Sequence, residues 1–264
     1  MRASGVHQPI GYHMVLRLED NRVIATTDAQ RRTVARSVIE AAHDDRLTAF
    51  GLVDTHLHVE NVEDWGRCGR LAQRIGTSVK QRLKLPVRFA PVYREPILGQ
   101  SHLDRAFFYD LRQQDRHGVV TGPYHEASNL PDLLGLRTLG HPLNQHVRVL
   151  LPRVNRRRLL EILGLTDLPE DLPVDWSLLP AAAAAAACLP DLSGNRPEVM
   201  RARDAAVQAA LADGLKPAMI AEILQLSTRW LRKARQRAAA PELVRAVRLQ
   251  LVLRRLRVPG SNGI

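Results

Sequence analysis

Two histidines two positions apart, His56 and His58, carry the sharpest chemical signal in the chain. Residues 56–62, His-Leu-His-Val-Glu-Asn-Val, alternate as a strand does, and a strand's period of two puts both imidazoles on one face. Two neutral imidazoles side by side can hold one divalent metal ion, while Leu57 between them points the other way, into a core. A His-x-His pair alone is a weak motif, so the other groups near it decide its weight. A helix expected from Ser101 to about His117, ended by Gly118, carries Tyr109 and Gln113 four positions apart and therefore on one face. A tyrosine hydroxyl can attack phosphorus, and a glutamine amide oxygen can serve as a third metal ligand. Phe107, Phe108 and Tyr109 span about 200° of a helix, so one of them must face outward, and tyrosine tolerates water best. Glu60 shares the strand face of His56 and His58 and is the rival third ligand. Tyr93 and Tyr124 are fallback nucleophiles without a partner ligand on a helix. His13, His102, His117, His125, His141 and His146 lack ligand spacing and read as surface or hydrogen-bonding residues.

The elements that must position these groups follow from periodicity. Residues 11–19 read as a strand and Asp20-Asn21 as a turn. Residues 27–46 read as a helix, opened by a Thr27/Gln30 capping box and striped by Val34, Val38, Ile39 and Ala42. Residues 47–53 form a second strand and 56–62 a third. Residues 64–83 form a second helix with Leu71, Ile75, Val79 and Leu83 at helical spacing, stopped by Pro86, and 87–93 a short strand. The expected domain is α+β, an antiparallel ferredoxin- or RRM-like sheet with helices on one face.

The chain has 264 residues and a formal net charge of +11, mostly from arginine. Such a balance favours a polyanionic partner, and arginine suits bidentate phosphate contacts. Only 4% of residues are aromatic, which favours a phosphate-gripping groove over a broad base-stacking platform. Two distant cysteines, Cys68 and Cys188, make neither a disulfide framework nor a cysteine-rich zinc site. The absence of a membrane-spanning run or secretory signal leads to the expectation of a cytoplasmic, bacterial-type protein.

The run Tyr12-His13-Met14-Val15-Leu16-Arg17, then a helix, then Phe50-Gly51-Leu52-Val53, then His56-Leu57-His58-Val59-Glu60, resembles the start of single-tyrosine HUH transposases. Within them it is most similar to the REP-associated tyrosine transposases, and the resemblance covers roughly residues 9–140. In that family a His-hydrophobic-His pair sits on a central strand and a tyrosine on a later helix, often with a polar ligand one turn on. Here Tyr109 follows His58 by about fifty positions, with Gln113 in the next turn. Two departures stand out: Asp54-Thr55 replaces the usual proline-asparagine pair before the first histidine, and Gln114-Asp115-Arg116-His117-Gly118 replaces an asparagine-proline turn. The resemblance implies a divalent ion, Mg²⁺ or Mn²⁺, on His56, His58 and Gln113, and attack by Tyr109 to give a 5′-phosphotyrosine. It also implies hairpin-forming single-stranded DNA as substrate and a homodimer as a form the protein can take.

Beyond the domain expected at residues 1–140, residues 141–196 read as a basic segment, with Arg156, Arg157 and Arg158 as DNA contacts, followed by a proline- and alanine-rich linker. Residues 197–264 read as a helical, helix-turn-helix-like region rich in arginine. Ser227 would cap a recognition helix presenting Thr228, Arg229, Arg232 and Lys233 to duplex DNA, with Trp230, Leu231 and Ala234 inward. A final helix, 241–256, has Leu243, Val247, Leu251 and Val252 on one face for packing or dimer contacts. The leading expectation is DNA cleavage and rejoining in transposition. The alternatives are a catalytically inactive or domesticated DNA-binding regulator, and a metal hydrolase using His56, His58 and Glu60 without a covalent step.

Overall fold

A computed structural model of the chain describes residues 8–113 and 124–256. The expected helix end at His117 and Gly118, and the residues 114–118 that depart from the family turn, lie outside the described residues. The N-terminal half runs β1 (Gly11–Arg17), α1 (Asp28–Ala41), β2 (Leu47–Val53), β3 (His56–Asn61), α2 (Trp65–Leu83), β4 (Tyr93–Ile97) and α3 (Gln100–Leu111). The four strands form one antiparallel sheet in the order β2-β3-β1-β4, so β3 and β1 occupy its centre.

Capping chemistry sets several helix starts. Thr27 accepts from the Gln30 backbone N–H while the Gln30 side chain reaches back to Thr27, closing the capping box of α1. Asp64 caps α2 through the Arg67 backbone N–H at 2.9 Å. The strand expected over 87–93 lies instead at Tyr93–Ile97; Phe89 makes only an isolated bridge to Leu18. Pro91, with no N–H to give, separates the two pairings.

The helices do not keep to one face of the sheet. Met14, Leu16, Phe50, Leu52, Leu57 and Val59 pack in one core with residues of α1 and α2. The opposite face is covered by α3, whose Leu103, Phe107 and Leu111 pack with Ala49 and Ile97 in a second core. The reason lies in β2, buried along its whole length, with apolar or small side chains on both faces. Its outer edge is covered too: Leu52 N–H bonds to the Ala127 carbonyl, and the Asn129 side chain bridges Phe50 N–H and the Thr48 carbonyl.

The chain continues through a single turn α4 (Leu130–Leu133), α5 (His141–Leu150), α6 (Arg156–Ile162), a 3₁₀ turn (Trp176–Leu178), α7 (Leu179–Ala186), α8 (Pro197–Ala212), α9 (Pro217–Ile223), α10 (Thr228–Gln236) and α11 (Pro241–Leu256). The alanine run is not an open linker. It forms α7 because alanine is the best helix former, and its small side chains pack tightly in a third core with residues of α8 and α11. Arg32 and Arg36 of α1 bond to the carbonyls of Leu189, Pro190, Cys188 and Ala187 just beyond α7, fastening this region to the sheet domain. The apolar face of α11 is used inside the chain: Leu243, Val247 and Leu251 lie in the third core, and Leu249, Val252 and Leu253 in the second, with α3. Among the described residues no helix is long and apolar enough to cross a membrane.

Candidate functional site

The register of the central strands aligns four polar positions on one face. His13 of β1 pairs with Glu60 of β3, and Val15 pairs with His58, so His13, His56, His58 and Glu60 all face α3. His13 Nε2 lies 2.9 Å from His58 Nδ1 and 3.0 Å from Asp110 Oδ1, and His58 Nδ1 lies 3.7 Å from the same oxygen. The two rings stack with centroids 5.1 Å apart and planes 10° apart. All three side chains are buried.

Asp110 reaches the sheet because α3 crosses it where β2 has no side chain. A Cβ built on Gly51, the register partner of His58, would lie 2.6 Å from the Asp110 carbonyl oxygen. Tyr109, one position earlier on α3, turns outward and is 40% exposed. Its ring centroid stands 6.1 Å from that of His13 and 6.0 Å from that of His58, nearly perpendicular to both. His13, Glu95, His102, Arg105, Ala106 and Tyr109 line an open pocket in front of this group.

The electrostatics are those of a buried, mutually dependent set. Burial alone lowers the His13 pKa, but Asp110, and to a lesser extent Glu95, outweigh it and hold the imidazole above its ordinary value. Burial raises the Asp110 carboxyl, and His13 opposes the rise only in part. Glu60 is pushed well up by complete burial and then by the charge of Asp110, while Thr48 Oγ1, 2.5 Å away, partly offsets this. Glu60, the rival third ligand, has its Oε1 engaged by Thr48 and does not belong to the His13, His58 and Asp110 group.

Two imidazole nitrogens and one carboxylate oxygen lie within 4.8 Å of one another in His13, His58 and Asp110. Donors around one divalent ion with bonds of about 2.1 Å are separated by roughly 3–3.5 Å, so the three fit a single ion. His56 stands outside this group: its Nδ1 lies 3.2 Å from Thr55 Oγ1, and its ring is 4.7 Å, centroid to centroid, from that of His58. Gln113 follows the end of α3, is buried, and its side-chain amide has no hydrogen-bond partner among the described residues. Of the residues expected from sequence, His58 belongs to this group and Tyr109 lies beside it, whereas His13 and Asp110 are not singled out as ligands by the sequence. The strand alternation of residues 12–17 places His13 on the face opposite Met14 and Leu16, yet which face meets His58 depends on strand order. Asp110 adjoins Tyr109 in sequence, and a helical pairing rule that looks three or four positions away passes over it.

No family model matches the chain, and neither the curated proteins nor the solved structures include a match to it.

The other tyrosines are placed differently. Tyr93 is exposed on β4, Tyr12 meets Trp65 edge to face, and the Tyr124 ring lies under the Arg254 guanidinium at 4.4 Å. Arg156, Arg157 and Arg158 open α6 and are exposed. Arg156 bonds to the Leu134 carbonyl and Arg157 to Glu161, while Arg158 stacks 3.9 Å over the ring of Phe108, next in sequence to Tyr109. In the C-terminal region Ser227 Oγ accepts from the Trp230 N–H at 3.2 Å and caps α10. Thr228, Arg229, Arg232 and Lys233 are exposed, Leu231 and Ala234 buried, and Trp230 half-buried.

Proposed function

We propose that the chain cuts and rejoins single-stranded DNA as a metal-dependent endonuclease of the single-tyrosine HUH type, acting in DNA transposition. The observation that carries this reading is the placement of Tyr109, exposed, with its ring 6.0 Å from His58 and 6.1 Å from His13 of a buried His-His-Asp group. The order of elements supports it, since β-α-β-β-α-β with strands in the order β2-β3-β1-β4 is the ferredoxin-like split arrangement. A divalent ion held by His13, His58 and Asp110 would polarise the scissile phosphate and neutralise charge gathering on it. The two imidazoles favour Mn²⁺ over Mg²⁺, which prefers oxygen.

Tyr109 Oη attacks the phosphorus and loses its proton to water. The bond to the 3′ oxygen breaks, that oxygen takes up a proton, and a 5′-phosphotyrosine remains. Attack by a new 3′-hydroxyl reverses the step, and the phosphoester carried on Tyr109 supplies the energy for rejoining. Arg105, one turn before Tyr109 on the pocket wall, and Arg158 beside Phe108 offer positive charge to flanking phosphates.

The test is incubation of the full chain with a library of single-stranded hairpin DNAs and Mn²⁺ or Mg²⁺, followed by denaturing gels and peptide mass spectrometry. The expected result is a covalent adduct on Tyr109 that Tyr109→Phe abolishes while metal binding persists. A second reading, a non-catalytic regulator of duplex DNA, rests on the capped, exposed basic face of α10. Duplex binding without cleavage by the wild-type chain would favour that regulator. Cleavage without an adduct would favour a metal hydrolase.

A further inference from the structure

Trp65 opens α2 and is 52% exposed, although the chain has few aromatic residues. It is held in place on two sides. The Arg94 guanidinium of β4 lies 3.3 Å over its ring centroid, and Arg94 Nη1 donates to the Trp65 carbonyl at 2.9 Å. The Tyr12 ring meets it edge to face at 5.3 Å. Gly69, one turn along α2, leaves room for this stack, since a Cβ there would lie 2.9 Å from Arg94 Nη1. With Arg94 over the ring and Tyr12 against it, Trp65 still leaves about half of its surface to water. Such a fixed, exposed aromatic side chain loses little freedom on binding a flat partner.

The surroundings select the chemistry of that partner. Arg70, exposed, makes no hydrogen bond among the described residues, and its Nη1 lies 3.4 Å from where a Cβ on Gly66 would stand. Of the nearby acids, Asp64 caps α2 and also feels the charge of Arg70, and Glu63 pairs with Arg67. An exposed indole with an exposed arginine on the same helix fits a nucleobase with its phosphate. Tyr93, exposed, stands on β4 next to Arg94 and points to the other face of the sheet, where Glu95 lines the Tyr109 pocket.

We infer that Trp65 is a base-stacking site for single-stranded nucleic acid, with Arg94 fixing the indole and Arg70 meeting the phosphate. The base contact stands without the catalytic reading; only the continuation of that strand over β4 to Tyr109 rests on it.

The test titrates the full chain with a short fluorescein-labelled oligothymidylate and follows anisotropy over a range of salt. Stacking on an aromatic is worth about 1–3 kcal/mol per base, so Trp65→Ala is expected to weaken binding on the order of tenfold. Trp65→Phe keeps a ring and should recover most of the affinity. Neither variant removes a charge, so the salt slope should stay at the wild-type value, whereas Arg70→Ala should lower it by about 0.7. Photocrosslinking with a 5-iodouracil oligonucleotide should label the peptide that holds Trp65. Wild-type affinity in Trp65→Ala, or crosslinking only elsewhere, overturns the site. The Tyr109 adduct assay, run on the same preparations, separates the two readings: an adduct without a Trp65 effect removes the stacking site alone, and a Trp65 effect without an adduct removes the catalytic reading alone.

Discussion

His13 Nε2 lies 3.0 Å from Asp110 Oδ1, joining β1 to the last turn of α3 across the face of the sheet. The two residues are far apart in sequence, and His58 joins them from β3. The group therefore forms only when β1, β3 and α3 are packed together. Replacing a ligand should cost more than the roughly 10–100-fold in metal affinity typical of removing an outer-shell partner. Calorimetric titration with Mn²⁺ is expected to show this weakening for His13→Ala and Asp110→Asn, and a smaller effect for His56→Ala. Wild-type affinity in His13→Ala would remove His13 from the ligand set.

Gly51 offers a sharper test of how Asp110 is placed. An alanine there would set its Cβ 2.6 Å from the Asp110 backbone oxygen, an approach that only movement of α3 can relieve. Overpacking of this kind costs about 1–3 kcal/mol. Gly51→Ala is expected to lower the melting temperature and to weaken Mn²⁺ binding together, because the same helix carries Asp110. Gly99→Ser is the control: its Cβ meets nothing within 4 Å, and serine is a good cap for α3. Equal melting temperatures for Gly51→Ala and wild type would show that α3 does not rest on this contact.

Much of this arrangement is legible from local pattern. The alternation of residues 56–61 puts His56 and His58 on one face, and the three consecutive aromatics of α3 leave Tyr109 to face outward. What local pattern does not contain is strand order. The sequence neighbours β2 and β3 pair as a hairpin, but β1 returns to lie beside β3, and only that return brings His13 to His58. The burial of β2 on both faces has the same origin, since a strand of small and apolar residues reads alike whether one face or both are covered. Residues 181–187 mislead for another reason: an alanine run has no stripe, so it reads as spacer until a close-packed neighbour uses its smallness.

Deleting residues from Pro197 onward tests whether the tail is separable, as composition suggests. Leu249, Val252 and Leu253 of α11 share a core with Phe107 and Leu111 of α3, and Arg254 reaches Glu126 at 2.7 Å. Glu126 also pairs with Arg32 of α1, so the deletion strips one of two cations from a buried carboxylate. Leaving buried charge and apolar surface uncovered is strongly destabilising, by several kcal/mol. The truncated chain is expected to melt at a lower temperature and to lose Mn²⁺ binding with it. A truncated chain that melts and binds Mn²⁺ like the full one would make the tail an independent unit.

The basic face of α10 is better tested by substitution than by deletion, because the helix backbone then stays in place. Arg229, Arg232 and Lys233 are exposed and have no ion pair among the described residues, while Leu231 and Ala234 hold the helix in the third core. Removing one cation from a DNA phosphate lowers the slope of log affinity against log salt by about 0.9 for a duplex. Replacing all three by alanine should therefore flatten the slope for duplex DNA by roughly 2–3 while the melting temperature holds. The group at His13, His58 and Asp110 lies on other elements and is left intact, so the Tyr109 adduct on a short hairpin should form at close to the wild-type rate. This contrast separates duplex binding from cleavage within one protein. An unchanged slope would mean that α10 does not touch the duplex. A flattened slope with the adduct also abolished would mean that α10 holds the hairpin itself, and the two DNA-binding surfaces would then be one.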